Sequence, residues 1–384
     1  MRSSTRGDVS PFIVMDVMEA ARRAEEAGAP VIHMEVGQPG TPAPADARAA
    51  VERALRETSL GYTVALGLPE LRARIAKLYH DWYGVDLAPE RVVVTAGSSA
   101  AFQLAFISLF EAGERVGIGD PGYPSYRNIL KALSLDPVRI ETRVEDRFQP
   151  VPGDLEGADL AGLLVASPAN PTGSMLDRAS LAAIMEACRA RGIAFISDEI
   201  YHGISYGARA VSALEISDEA YVINSFSKFF SMTGWRVGWM VVPEDHVRRI
   251  ERLVQNLFIC APHASQVAAL AAMECEEELL GNLAVYTQNR ETLLRELPKA
   301  GFDKIAPPDG AFYVYADVSQ MTNDSVALAA EILEQAHVSV TPGVDFDPVR
   351  GHHFLRFSYA GTHADMVEAM RRLQVWFQGR GVVS

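Results

Sequence analysis

Lys228 stands in the stretch Ser225-Phe226-Ser227-Lys228-Phe229-Phe230-Ser231-Met232-Thr233-Gly234-Trp235-Arg236, which has hydroxyls and aromatics but no acidic residue. A lysine in apolar surroundings loses the solvation of its ammonium, so its amine becomes available as a nucleophile. The serines and Arg236 are the donors that a dianionic phosphate needs beside such an amine. An arbitrary lysine in an aromatic-rich loop is a surface residue, so the other loops must decide.

Four more loops carry chemistry. Thr95-Ala96-Gly97-Ser98-Ser99-Ala100 reads as strand, small-residue turn and helix start, where free amides and the helix dipole make an anion site. In Ser167-Pro168-Ala169-Asn170-Pro171-Thr172-Gly173 two prolines fix the backbone around one asparagine. Ser197-Asp198-Glu199-Ile200-Tyr201 ends a buried strand, so Asp198 should reach the mouth of a sheet and require a cationic partner. Gly119-Asp120-Pro121-Gly122-Tyr123-Pro124-Ser125-Tyr126 offers two tyrosines for the core or for stacking on a planar ligand. A phosphate cradle, an anion, a ring stacker, polar anchors and an activated lysine together suit pyridoxal 5′-phosphate.

The elements that must position these loops follow from periodicity. Residues 91–95, 163–166, 193–197, 221–224 and 238–242 read as buried strands, and 100–110 and 180–191 as helices. Such alternation predicts an α/β fold: a three-layer large domain with a mostly parallel sheet, plus a smaller α+β domain. Its ligands should sit at the strand ends. Residues 11–28 read as an amphipathic helix, 31–36 as a strand, and 244–280 as one long helical stretch. The second domain should hold a strand at 311–315, a helix at 325–336 and a strand at 354–358. The expected division is an N-terminal arm over 1–45 that joins the small domain, a large domain over 46–285 and a small domain over 286–384. Gly117, Gly119 and Gly122 match G-x-G-x-x-G, but Pro121 and Pro124 argue against a helix starting there. Gly203-Ile204-Ser205-Tyr206-Gly207 matches a hydrolase nucleophile elbow without a helical stripe after it.

A formal net charge of -14 argues against sequence-independent binding to nucleic acid or anionic lipid. No run approaches a membrane span, and the polar start, Met1 to Asp8, lacks the apolar stretch of a signal peptide. The odd set Cys188, Cys260 and Cys275 suits neither a disulfide framework nor a zinc site. All three read as small buried hydrophobes in a cytoplasmic protein, and no metal is expected.

The chain resembles the class I/II aminotransferases, the fold-type-I pyridoxal-phosphate enzymes related to aspartate aminotransferase. The resemblance runs from about Val36 to Arg356 and rests on Asn170-Pro171-Thr172-Gly173, Asp198-Glu199-Ile200-Tyr201, Ser225-Phe226-Ser227-Lys228 and Gly234-Trp235-Arg236 in order. It implies that Lys228 holds the cofactor through a Schiff base and that Asp198 pairs with the ring nitrogen. Asn170 and Tyr201 would meet the ring oxygen, and Tyr123 would stack on the ring. Ser98, Ser99, Ser225 and Arg236 would bind the phosphate. Tyr62 would reach the phosphate of the other subunit of a homodimer. Arg356 would clamp the substrate α-carboxylate, with Gly37 and Asn170 beside it. The implied reaction is ping-pong transfer of an amino group from an L-amino acid to a 2-oxo acid. A C–S β-lyase shares these residues, and a non-catalytic regulator would need an added DNA-binding module. The apolar Ser10-Pro11-Phe12-Ile13 and a 100–110 helix without Lys or Arg lean toward apolar, aromatic or small substrates.

Overall fold

The computed structural model describes residues 2–380. Seven strands form the central sheet, in the spatial order Val92–Thr95, Gly238–Val241, Tyr221–Ser225, Ala194–Asp198, Gly162–Ala166, Arg115–Asp120, Asp136–Glu141. Only Gly238–Val241 runs antiparallel to its neighbours. Alternate side chains of these strands enter two separate cores. Val92, Val94, Leu163, Val165 and Val222 face one, whereas Val93, Leu164, Ile196 and Ile223 face the other. Both faces of the sheet are therefore covered by helices, which is why strands such as Val92–Thr95 and Gly162–Ala166 are almost continuously apolar. Because the strands run parallel, the loops after Thr95, Asp120, Ala166, Asp198 and Ser225 all emerge on one edge.

A second sheet of four antiparallel strands runs Thr341–Pro342, Phe354–Ser358, Tyr313–Asp317, Lys304–Ile305. Ile32–His33 pairs in parallel with Val338–Ser339, and the helix Ile13–Glu26 begins on the Asp345 carboxylate, which accepts from the amides of Ile13 and Val14. The N-terminal arm is thus bonded to the C-terminal part of the chain.

Several expectations need correction. The strand predicted over 31–36 pairs only at Ile32–His33, and the chain beyond it turns into the site. The stretch 244–280 is not one helix. It breaks between Val247–Leu257 and His263–Ala272, where Ile259 has a positive φ and Pro262 cannot continue the first helix. A helix does start beside Gly122, at Pro124–Ala132, with proline in the first turn where its missing N–H costs nothing. Gly117 and Gly119 lie inside the strand Arg115–Asp120 rather than in a phosphate-binding turn. Cys188 is buried, but Cys260 and Cys275 are only partly so. Among the described residues no helix is long and apolar enough to cross a membrane.

Candidate active site

Strand Ala194–Asp198 delivers Asp198 to the open edge of the sheet, where the residue is 2% exposed. Tyr126 donates its hydroxyl to Oδ2, and the Ile200 amide donates to Oδ1 at 3.0 Å. Burial pushes Asp198 up to about 6, opposed by those two bonds and by the charge of Lys228. The adjacent strand Tyr221–Ser225 runs into the loop that carries Lys228. Its Nζ donates to the Gly37 carbonyl at 2.5 Å and lies 5.5 Å from the Tyr201 ring centre. Burial pushes Lys228 down to about 7; the charges of Arg356 and Arg236 push the same way and Asp198 opposes them. A large fraction of this amine is therefore unprotonated near neutral pH.

Arg356 projects from strand Phe354–Ser358 and is 3% exposed. Nη1 donates to Asn170 Oδ1 at 2.9 Å; Nη2 donates to the Glu35 carbonyl and to Thr341 Oγ1 at 3.2 Å. The guanidinium lies over the Tyr313 ring at 4.4 Å and over the Phe346 ring at 4.6 Å. Its bonded partners are neutral, and Nε is buried without a hydrogen-bond partner. A buried cation so arranged is matched by a carboxylate.

The phosphate side is built from two elements. The helix Ser98–Leu109 starts without a side-chain cap or an acidic residue in its first turn. Gly97 before it has φ +78°, and a Cβ there would run into the Arg236 guanidinium. Helix amides and guanidinium are thus pressed together with no side chain between them. Ser225 lies at the end of its strand and donates to Ser227 Oγ at 2.9 Å. Ser98 and Ser99 open the helix, both partly buried. Tyr123 caps the next helix and packs edge-on against Phe12 at 5.9 Å and Tyr126 at 5.3 Å.

These residues fit pyridoxal phosphate on three counts. A glycine cradle with helix amides and Arg236 suits its phosphate. A buried carboxylate bonded to a phenol and an amide, rather than to a cation, suits a protonated ring nitrogen. A partly deprotonated lysine suits its carbonyl carbon.

The structure thus brings Lys228 to Gly37 and Tyr201, Arg356 to Asn170, and Arg236 to the Gly97-Ser98 turn. It does not bring Tyr62 to them: that side chain is 81% exposed. Sequence reasoning missed Tyr126 as the partner of Asp198, although it lies one helical turn from Tyr123. It also missed Thr341, the Glu35 carbonyl and Tyr313, whose hydroxyl is 2.7 Å from that of Tyr201. A tyrosine in an apolar strand signals only that its hydroxyl needs a partner.

A family model described as aminotransferase class I and II matches residues 29–373. The chain is 47% identical over 381 residues to the valine–pyruvate aminotransferase of Mycobacterium tuberculosis, covering 98% of both chains. A solved structure from Silicibacter pomeroyi, provisionally assigned as an aminotransferase, is 65% identical with a TM-score of 0.95, covering 99% of this chain and 100% of that one. The aspartate aminotransferase of Thermus thermophilus, solved with maleate, is 28% identical with a TM-score of 0.90, covering 98% and 100%.

Proposed function

The chain belongs to the class I and II aminotransferases, which work through pyridoxal 5′-phosphate, and from that premise we propose that it moves the amino group of a small apolar L-amino acid, of the valine or alanine kind, to a 2-oxo acid such as pyruvate. The two half-reactions follow in ping-pong order, so the first product leaves before the second substrate binds. The observation that carries this reading is the convergence on one cleft of Lys228, lowered to about 7, with Arg356, buried and bonded only to neutral groups.

In this reading Ser98, Ser99, Ser225 and Arg236 would hold the phosphate, Tyr123 would lie against the ring, and Asn170 and Tyr201 would meet the ring oxygen. When bound, the cofactor supplies a carbonyl carbon for the amino group and a ring that accepts the electron pair left at Cα. Arg356 fixes the substrate carboxylate through two parallel N–H groups, which orients the Cα–H bond. Lys228 Nζ, held by the Gly37 carbonyl, would take the proton from Cα and give it to the carbon that bore the cofactor's carbonyl, on the same face. Asp198 keeps a proton on the ring nitrogen, aided by Tyr126.

The cations that act on Lys228 are Arg356 and Arg236, one for the carboxylate and one for the phosphate. That leaves neither for a distal carboxylate, and Phe12 against Tyr123 adds an apolar wall. This supports small apolar substrates. The test mixes purified holoenzyme with each L-amino acid and follows the change in cofactor absorbance, with 2-oxo acid and ammonia assayed separately. Valine and alanine should react fast and release 2-oxo acid without ammonia. Fast reaction of aspartate and glutamate alone would overturn the substrate assignment, and ammonia release would indicate a lyase.

We also take Tyr62 to serve the phosphate site of a second copy, which makes the working unit a homodimer.

A further inference from the structure

Tyr313 touches three of the groups given roles above, Tyr201, Arg356 and the Gly37 segment that holds Lys228, although it carries out none of those roles itself. Its hydroxyl lies 2.7 Å from the Tyr201 hydroxyl. Its ring lies under the Arg356 guanidinium, 4.4 Å from centroid to Cζ. Its Oη presses on Gly37 so closely that a Cβ there could not be accommodated, and the Gly37 carbonyl is the acceptor for Lys228. Tyr313 is itself fully buried, on strand Tyr313–Asp317 paired with the strand that carries Arg356.

We propose that Tyr313 is a positioning residue with two separable parts: a hydroxyl that donates to Tyr201, and a ring face that seats Arg356. In a pair of phenols 2.7 Å apart one hydroxyl donates and the other accepts, and either orientation satisfies the distance. Donation by Tyr313 leaves the Tyr201 hydrogen free to point at a bound ligand, and it polarises Tyr201 into a better donor. The ring meanwhile offers its negative face to a guanidinium whose charge has no anionic partner among the described residues, fixing the plane in which the substrate carboxylate is met. The proposal rests on Tyr201 as the group that meets the cofactor's ring oxygen.

The experiment uses three variants of the holoenzyme and two readouts. One readout is the pH at which the bound cofactor's absorbance changes. A donor to the ring oxygen stabilises its negative charge and so lowers that pH; weakening the donor raises it. The other is the dissociation constant of an unreactive carboxylate, isovalerate. Tyr201→Phe should raise the transition pH. Tyr313→Phe, which keeps the ring, should raise it by a smaller step of roughly 0.3 unit, with isovalerate affinity unchanged. Tyr313→Leu should weaken isovalerate binding by about thirtyfold, the loss of a desolvated cation–π contact. If Tyr201→Phe shifts the transition and Tyr313→Phe does not, the hydroxyl role fails while the reading of Tyr201 stands. If neither shifts it, both fail. Equal weakening of isovalerate binding by Phe and Leu would overturn the ring role.

Discussion

Asp198 and Glu199 are neighbours in sequence with opposite surroundings. Asp198 faces the cleft, whereas Glu199 turns inward, where Oε1 accepts from Ser197 and Ser212 hydroxyls at 3.1 Å and from the Ala213 amide at 2.8 Å. Burial outweighs those bonds and pushes Glu199 up to about 8, while His202 beside it is pushed down to about 4. Both are therefore neutral at pH 7. A carboxyl raised on folding binds its proton more tightly in the folded state, so its contribution is full below about 4.5 and is lost as pH climbs to about 8. Glu199→Gln removes that dependence. Urea unfolding of the cofactor-free protein should show wild type losing ground to the Gln variant between pH 5 and pH 8, and a constant difference would refute a neutral Glu199. Lys228 gives a second test at this scale. In the cofactor-free protein its labelling by trinitrobenzenesulfonate should rise through pH about 7 rather than near the ordinary lysine value. A rise only above pH 9 would show that the amine is not activated.

The helix Ser98–Leu109 and the turn before it work as one element. Gly97 has to be glycine both for its positive φ and for the guanidinium packed on it. Gly97→Ala should push Arg236 off the helix N-terminus and weaken cofactor binding at least about tenfold, since a hydrogen bond to a charged group is worth ~1.5–3 kcal/mol. Fluorescence titration of the cofactor-free protein measures this, and an unchanged affinity would mean the cradle lies elsewhere. At the same scale the sequence is legible where an element is regular. Continuous apolar runs such as Leu163-Leu164-Val165 announce buried parallel strands, and the loops after them carry the candidate site. Strand Asp136–Glu141 was not visible because it is the sheet edge, with only Ile140 buried and with proline and arginine in its run. Strand Arg115–Asp120 was hidden by its glycines, which give no β signal. The site residues that escaped notice did so for related reasons. The Glu35 carbonyl leaves no trace in residue type, and Tyr313 and Thr341 read as filling for a buried strand.

For the molecule as a whole, the segment around Tyr62 poses the main question. The segment is tied down: the Gly61 carbonyl is 2.8 Å from His263 Nδ1, the Leu68 amide donates to Gln266 Oε1 at 2.8 Å, and the Thr63 side chain accepts through Oγ1 from Gln266 Nε2 at 3.1 Å. Yet Tyr62 and Val64 stand 81% and 57% exposed. A fixed backbone that presents an aromatic and an aliphatic side chain to solvent is what a closed two-fold assembly uses for its contact. If Tyr62 completes the partner's site, Tyr62→Ala and Lys228→Ala must each lower activity, yet mend one another when mixed. In a mixed dimer one site carries both defects, whereas the other combines the native Lys228 of one subunit with the native Tyr62 of its partner. Random exchange of equal amounts makes half of the dimers mixed, so about a quarter of all sites should become native. Activity should recover to that fraction after unfolding and refolding the two variants together. No recovery beyond the sum of the separate variants would place Tyr62 outside the partner's site.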